Sequence, residues 1–229
     1  MIIKENGFYD LSNYLDSEVI IEDGIVVAIY DSGNVSRKIF LKQKSFLQFF
    51  SFLTDEKNHT IEFFQKEENS KLEVRYLLFS KDETILKSRI YSKIESSFSK
   101  SDVKIFSIIG EKGFIDLDGV IEISPNIEKV SGHLVEENLF LGHTGKMKGI
   151  PTLLVRSDDV EASHACRIEK ISEKNLFYLK SRGIQEKTAY YLLLEANIKS
   201  LFSCLSMINN SFYESLLFET TSKITGNFK

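Results

Sequence analysis

Cysteine and proline are scarce in this 229-residue sequence, with two of each. Cys166 and Cys204 cannot build a disulfide framework. They are also too few for one chain to supply four thiolates to an iron–sulfur cluster or a structural zinc. Basic charge is not in excess either. Lys plus Arg number 29 against 33 Asp plus Glu, a net charge of −4, which argues against a general nucleic-acid binder. The N-terminus lacks the apolar stretch of a secretory leader. The longest clean apolar run before the C-terminal third, Ile25 to Tyr30, is far short of a membrane span. The expectation is a cytoplasmic chain with neither nucleic acid nor membrane as partner. Apolar residues at 42% and charged residues at 27% place it among folded globular chains.

Recognisable catalytic signatures are missing as well. There is no G-x-G-x-x-G, H-E-x-x-H, C-x-x-C or G-x-S-x-G. Gly142-His143-Thr144-Gly145-Lys146 resembles a phosphate loop at first glance. Its glycines are three apart rather than five, however, and Met147 stands where a magnesium-binding hydroxyl is needed. Ser163 and His164 lie beside Asp158 and Asp159, but adjacent residues of a strand point to opposite faces and cannot pair directly. The chain carries no legible active site of its own.

Glycine and proline are unevenly spread. Neither occurs from Asn34 to Ile109, whereas seven glycines and both prolines fall between Gly110 and Pro151. This predicts a change near residue 110 from long elements to short ones with frequent turns. Upstream, Val19–Ile21, Ile25–Tyr30, Lys38–Leu41, Thr60–Phe64, Leu72–Phe79, Thr84–Lys87 and Val103–Ile109 are rich in Ile, Val, Phe and Tyr and read as strands. Phe46–Leu53 fits either a strand or a short helix. Asp23-Gly24 signals a hairpin or a tight corner. Downstream, Phe114–Leu117, Val120–Ile123, Leu139–Leu141, Leu153–Val155 and Val160–Ala162 are brief apolar stretches between corners. Such a pattern suits a sandwich, a barrel or a solenoid of strands.

From Ser172 the pattern is helical. Ser172 can cap, Leu176, Phe177 and Leu179 recur at helical spacing, and Gly183 is placed to end the helix. A second helix begins near Gln185, Asn209-Asn210 breaks it, and Phe212 to Thr221 forms a third segment. The expected organisation is a β body over residues 1–171 and a helical subdomain over 172–229.

One stretch combines chemically versatile side chains. If Val160 to Ile168 is extended, the period of two puts Val160, Ala162, His164, Cys166 and Ile168 on one face. His164 and Cys166 are then about 7 Å apart at Cα by the strand rise, close enough to approach one soft or borderline metal. A packed histidine and a buried thiol would leave the same pattern. Cys204, among Leu201, Phe202 and Leu205, reads as core. His59, in a polar stretch, and His133 and His143, beside glycines, read as surface histidines.

Longer motifs give a family likeness. Asn138-Leu139-Phe140-Leu141-Gly142, Ile150-Pro151-Thr152-Leu153-Leu154-Val155, Asp158-Asp159-Val160-Glu161-Ala162-Ser163-His164 and Leu176-Phe177-Tyr178-Leu179-Lys180-Ser181-Arg182-Gly183-Ile184 follow one another in this order. With Ala189 and Leu192-Leu193, they resemble the C-terminal half of the SufB/SufD family, scaffold proteins of the SUF iron–sulfur cluster assembly system. The resemblance implies a mainly β fold, a right-handed parallel β-helix with a C-terminal α-helical subdomain. It also implies an N-terminal part reduced relative to the family. It implies a non-enzymatic scaffold, closer to SufD than to the cysteine-supplying SufB. Its partners would be a SufC-like ABC ATPase and a second β-helix subunit, SufB-like or a copy of itself. Any iron–sulfur cluster would be transient and shared at that interface.

His164 falls on the family's histidine linked to cluster assembly. Where members often carry Cys two residues earlier, this chain has Ala162, and Cys166 lies one step further on the same face. These two are the candidate cluster-related ligands. Phe177, Tyr178, Arg182, Tyr190 and Tyr191 are the candidate ATPase-docking residues, although Arg182-Gly183 also suits a helix end. Two rival readings are a carbohydrate-active enzyme on a β-helix and a purely structural or interaction protein without metal. The first would need paired carboxylates from among Asp116, Asp118, Glu122, Asp158 and Asp159.

Overall fold

In the computed structural model, which describes residues 1–54, 57–81 and 83–226, successive strands alternate between two sheets. One sheet holds β1 (Ile2–Ile3), β3 (Glu18–Ile21), β5 (Arg37–Leu41), β7 (Lys57–Gln65), β9 (Ile85–Ile94) and β11 (Phe114–Ile123). Both β13 (Lys146–Lys148) and β14 (Thr152–Val155) pair with β11. The other sheet holds β2 (Gly7–Asp10), β4 (Val26–Asp31), β6 (Phe46–Thr54), β8 (Lys71–Ser80), β10 (Lys100–Ile109), β12 (Val130–Phe140) and β15 (Val160–Lys170). Every pairing is parallel. The fold is a parallel β-helix, in line with the family resemblance. Asp23-Gly24 is therefore a corner between sheets and not a hairpin, with Gly24 at φ 69°. Phe46–Thr54 is a strand.

The coils widen along the chain. Val26 stands opposite Phe46, twenty residues on, whereas Val130 stands opposite Val160, thirty residues on. Register stacks like positions into columns. One inward column runs Ile29, Phe49, Val74, Val103, Leu134 and His164; the next runs Asp31, Ser51, Tyr76, Ile105, Glu136 and Cys166. The apolar members are fully buried and form the solenoid core, each contributing about 1.5–3 kcal/mol.

Polar members of the interior are matched near the N-terminal end. Asp31 Oδ2 accepts from Arg37 Nε at 2.5 Å, both side chains fully buried, and Gly33 N–H donates to Asp31 Oδ1 at 2.9 Å. The Arg37 guanidinium also donates to the carbonyls of Leu11, Tyr14 and Asp16, tying down the loop before β3. His59 corrects the sequence expectation: it lies on β7 and is 2% exposed, not on a surface loop. Its inward position explains this, since it follows the parity of Ile61 and Phe63. Tyr76 Oη donates to Nδ1 at 2.6 Å, and Nε2 donates to the Val35 carbonyl at 3.1 Å. Burial lowers its pKa, opposed by the charge of Asp31 and the Val35 hydrogen bond.

The predicted change of character near residue 110 is absent. β11 and β12 are ten and eleven residues long. Their apolar runs look broken because inward positions carry Gly119, Gly132, Glu136 and Asn138. The strand ending at Lys87 likewise extends to Ile94, its polar letters being outward Lys and Arg alternating with inward Ser88, Ile90 and Ser92.

Among the described residues four helices follow: α1 (Glu173–Ser181), α2 (Glu186–Leu201), α3 (Ser203–Ile208) and α4 (Asn210–Thr225). Ser172 caps α1 by accepting from Asn175 N, Gly183 follows its end at φ 83°, and Asn209 caps α4 by accepting from Phe212 N. Leu194, Ile198, Leu201, Phe202, Leu205 and Leu216 pack on the outer face of the second sheet, against Tyr30, Phe50, Leu77, Phe79, Phe106 and Ile108. Strands covered on both faces lose alternation, which accounts for the unbroken run Tyr76–Phe79 and for Ile105–Ile109, apolar but for Ser107. Cys204 is partly buried against this cluster. No helix among the described residues is long and apolar enough to cross a membrane.

Candidate functional site

The site lies where the solenoid stops. β15 is the terminal strand of its sheet, so its inward side chains face no further coil among the described residues. His164 and Cys166 share that inward face, as the period of two predicts, and both are exposed. Ile168, on the same face, is 67% exposed. A column of buried aliphatic and aromatic side chains thus ends in an open imidazole, and its neighbour ends in an open thiol.

His164 is held in one orientation. Its Nδ1 lies 3.0 Å from the carbonyl of buried Pro151. A carbonyl only accepts, so Nδ1 carries the proton, and the lone pair of the neutral ring sits on Nε2. This is how ligating histidines are set in place, the second nitrogen tied to a fixed acceptor. Ser163 points the other way and meets His133 Nδ1 at 2.7 Å, which removes the imagined Ser–His pairing.

Cys166 sits above two buried polar side chains of β12. Asn138 Nδ2 lies 3.6 Å from its sulfur. Burial and the charge of Glu136 push the thiol pKa up, while the Asn138 hydrogen bond pulls it down. Glu136 is wholly buried, and its carboxyl is pushed up to about 7, by burial first and then by the charge of Asp118. Neither Glu136 nor Asn138 was singled out as a functional residue from the sequence. The available signal was a Glu and an Asn at inward parity within a strand.

Among the described residues, no group of three or more His, Cys, Asp or Glu could hold a metal ion. His164 and Cys166 are brought to one face but not completed by further ligands of that kind. The candidate glycosidase carboxylates are not convergent either. Asp116 and Asp118 pair with Lys148 and Arg89 at 3.5 Å on the outer face of the first sheet, and Glu122 accepts from Tyr91 at 2.7 Å. Asp159 instead accepts from the backbone of Lys129.

The proposed docking residues lie on α1 and α2. Phe177 is 74% and Tyr178 58% exposed, large for apolar rings on a helix. Arg182 caps α1, and its guanidinium lies 5.5 Å from the Tyr178 ring centre. Tyr190 and Tyr191 are half-buried near the start of α2.

A parallel β-helix with helices folded onto one sheet thus presents histidine and thiol on its terminal coil. The model of the SufBD core domain of the SUF system for FeS cluster assembly matches residues 34–197. The chain belongs to this family. It is 27% identical over 138 residues to the iron–sulfur cluster assembly protein SufD of Escherichia coli, covering 60% of this chain and 33% of that protein. It is 34% identical over 80 residues to a SufBD family protein of Pyrococcus horikoshii, covering 35% of this chain and 18% of that protein. To SufB of Bacillus subtilis it is 26% identical over 101 residues, covering 44% and 22%. The matched parts amount to a third or less of the length of these relatives.

Proposed function

We propose that the chain is a SufD-like scaffold subunit of SUF iron–sulfur cluster assembly, without catalytic activity of its own. Its open coil lends His164, with Cys166 beside it, to a cluster built at the interface with a second β-helix, SufB-like or a copy of this chain. The exposed α1 ring pair, with Arg182, Tyr190 and Tyr191, docks a SufC-like ABC ATPase whose cycle rearranges that interface. The cluster is cargo, transient and shared. The location is the cytoplasm.

The observation that carries this reading is the tethering of His164 Nδ1 to Pro151 at a coil end that, among the described residues, lacks a complete ligand set. An oriented imidazole with Nε2 open toward an unfilled end suits a ligand that a partner completes. The test is anaerobic cluster assembly with a co-expressed ATPase and second scaffold. His164→Ala is expected to abolish cluster accumulation while leaving the complex intact. Undiminished accumulation in that variant would overturn the ligand role, and failure to co-purify with any ABC-type ATPase would overturn the docking role.

A further inference from the structure

Glu136 is an acid that the fold buries and leaves unanswered. It projects into the solenoid from β12 with no exposed surface, and neither carboxyl oxygen meets a hydrogen-bond partner among the described residues. Burying a carboxyl without a partner is costly, and stable folds avoid it. Asp31, equally buried in the same inward column, shows the ordinary solution: Arg37 and a backbone N–H meet it. Room for the Glu136 carboxyl comes from the opposite sheet, where a Cβ on Gly119 would lie 2.3 Å from Glu136 Oε1. Asn138, two residues on and also fully buried, spends its amide N–H on Cys166 and leaves Oδ1 unpartnered.

These donors are register neighbours. Cys166 stands directly opposite Glu136, and Ile168 opposite Asn138. Side chains so paired on adjacent strands stack on one face. The influence of Glu136 on the thiol pKa reflects the same proximity. Three unpartnered buried oxygens therefore lie beneath an exposed sulfur at the open coil.

We infer that Glu136, Cys166 and the side-chain carbonyl of Asn138 form a receiving site for a single divalent first-row transition metal ion, distinct from the ligand offered by His164. Thiolate with carboxylate and amide oxygen suits borderline ions such as Fe²⁺ or Co²⁺, whereas Mg²⁺ and Ca²⁺ favour all-oxygen shells. Binding displaces the thiol proton and any carboxyl proton to solvent. With two anionic donors, the chain alone holds the ion exchangeably, and water or a partner fills the remaining positions. This matches the absence of a larger ligand group among the described residues. The inference rests on the assembly reading only for naming iron as the ion carried.

The test is an anaerobic Co²⁺ titration of the full chain after removal of metal with chelator, read by thiolate-to-cobalt charge-transfer absorption. The band is expected in the wild type and in Cys204→Ser and His164→Ala, and it should vanish in Cys166→Ser. Glu136→Gln, nearly isosteric, should weaken binding about tenfold or more, with thermal unfolding in chelator confirming that it folds. Absence of the band, unchanged affinity in Glu136→Gln, or loss of the band in Cys204→Ser or His164→Ala would overturn the inference. The titration needs neither ATPase nor second scaffold. Failure of the assembly experiment with a cobalt site intact would overturn the proposed function and leave the metal site standing.

Discussion

Gly119 and Glu136 share one space inside the solenoid: the missing Cβ of the first is where the carboxyl of the second lies, 2.3 Å from an added carbon. The relationship spans the two sheets, joining β11 to β12. Gly119→Ala is therefore expected to destabilise the fold by about 1–3 kcal/mol through overpacking. In a Glu136→Ala background the same change should cost little, because the obstructing carboxyl is gone. Urea unfolding of the four proteins of this double-mutant cycle gives the coupling directly. Additive effects would show that the two residues do not compete for that space.

The same carboxyl sets a pH dependence. Its folded-state pKa is raised to about 7 from an ordinary 4.5, by burial and then by Asp118. A raised acid binds its proton more tightly when folded, so the penalty is absent below about pH 4.5 and grows as pH rises, reaching its full value above about pH 7. At roughly 1.4 kcal/mol per unit, the full penalty is of order 3 kcal/mol. Glu136→Gln should accordingly be more stable than wild type at pH 8 and nearly equal to it at pH 4.5, measured by denaturant midpoints in chelator. A difference independent of pH would contradict the burial argument.

His59 works in the opposite direction. Burial lowers its pKa, and its Nδ1 accepts from Tyr76 while Nε2 donates to Val35, so the ring is neutral in the fold. A lowered base contributes stability above its unfolded pKa, about 6.5, and loses it as pH falls toward the folded value. The wild type should lose stability as pH falls below about 6.5. His59→Gln, which cannot take up that proton, should show a flatter profile in that range. Parallel profiles for the two proteins would refute the assignment.

What the sequence discloses here follows from what each coil buries. Tyr76–Phe79 is an unbroken apolar run, and Ile105–Ile109 is apolar but for Ser107, because the solenoid covers one face and helices cover the other. Ser172, Gly183 and Asn209 mark helix ends because capping is local chemistry. The shared face of His164 and Cys166 follows from strand periodicity alone. β12 is obscured because its inward face carries Gly132, Glu136 and Asn138, so binary patterning fails at the residues that equip the end. His59 reads as loop for a similar reason: its polar ring is accommodated by Tyr76, nearly twenty residues further on, which no local pattern discloses. The place of Pro151 beneath His164 depends on the path of the chain between β13 and β14, and no spacing rule encodes it.

Two phenylalanines of the helical region separate docking from folding. Phe202 is 1% exposed and sits edge-on to Phe50, with ring centres 6.4 Å apart. Phe202→Ala should cost about 3–5 kcal/mol and raise hydrogen exchange in α2 to α4, because it empties the seam between helices and sheet. Phe177, 74% exposed on α1, is in no such seam. Phe177→Ser, alone or with Tyr178→Ser, should change stability by less than about 0.5 kcal/mol. The same substitutions should cut retention of a co-expressed ABC-type ATPase at least tenfold, as loss of a central aromatic anchor does at protein interfaces. If ATPase retention survives both serine changes while Phe202→Ala abolishes it, the docking surface lies elsewhere on the helices, and the exposed rings of α1 serve another contact.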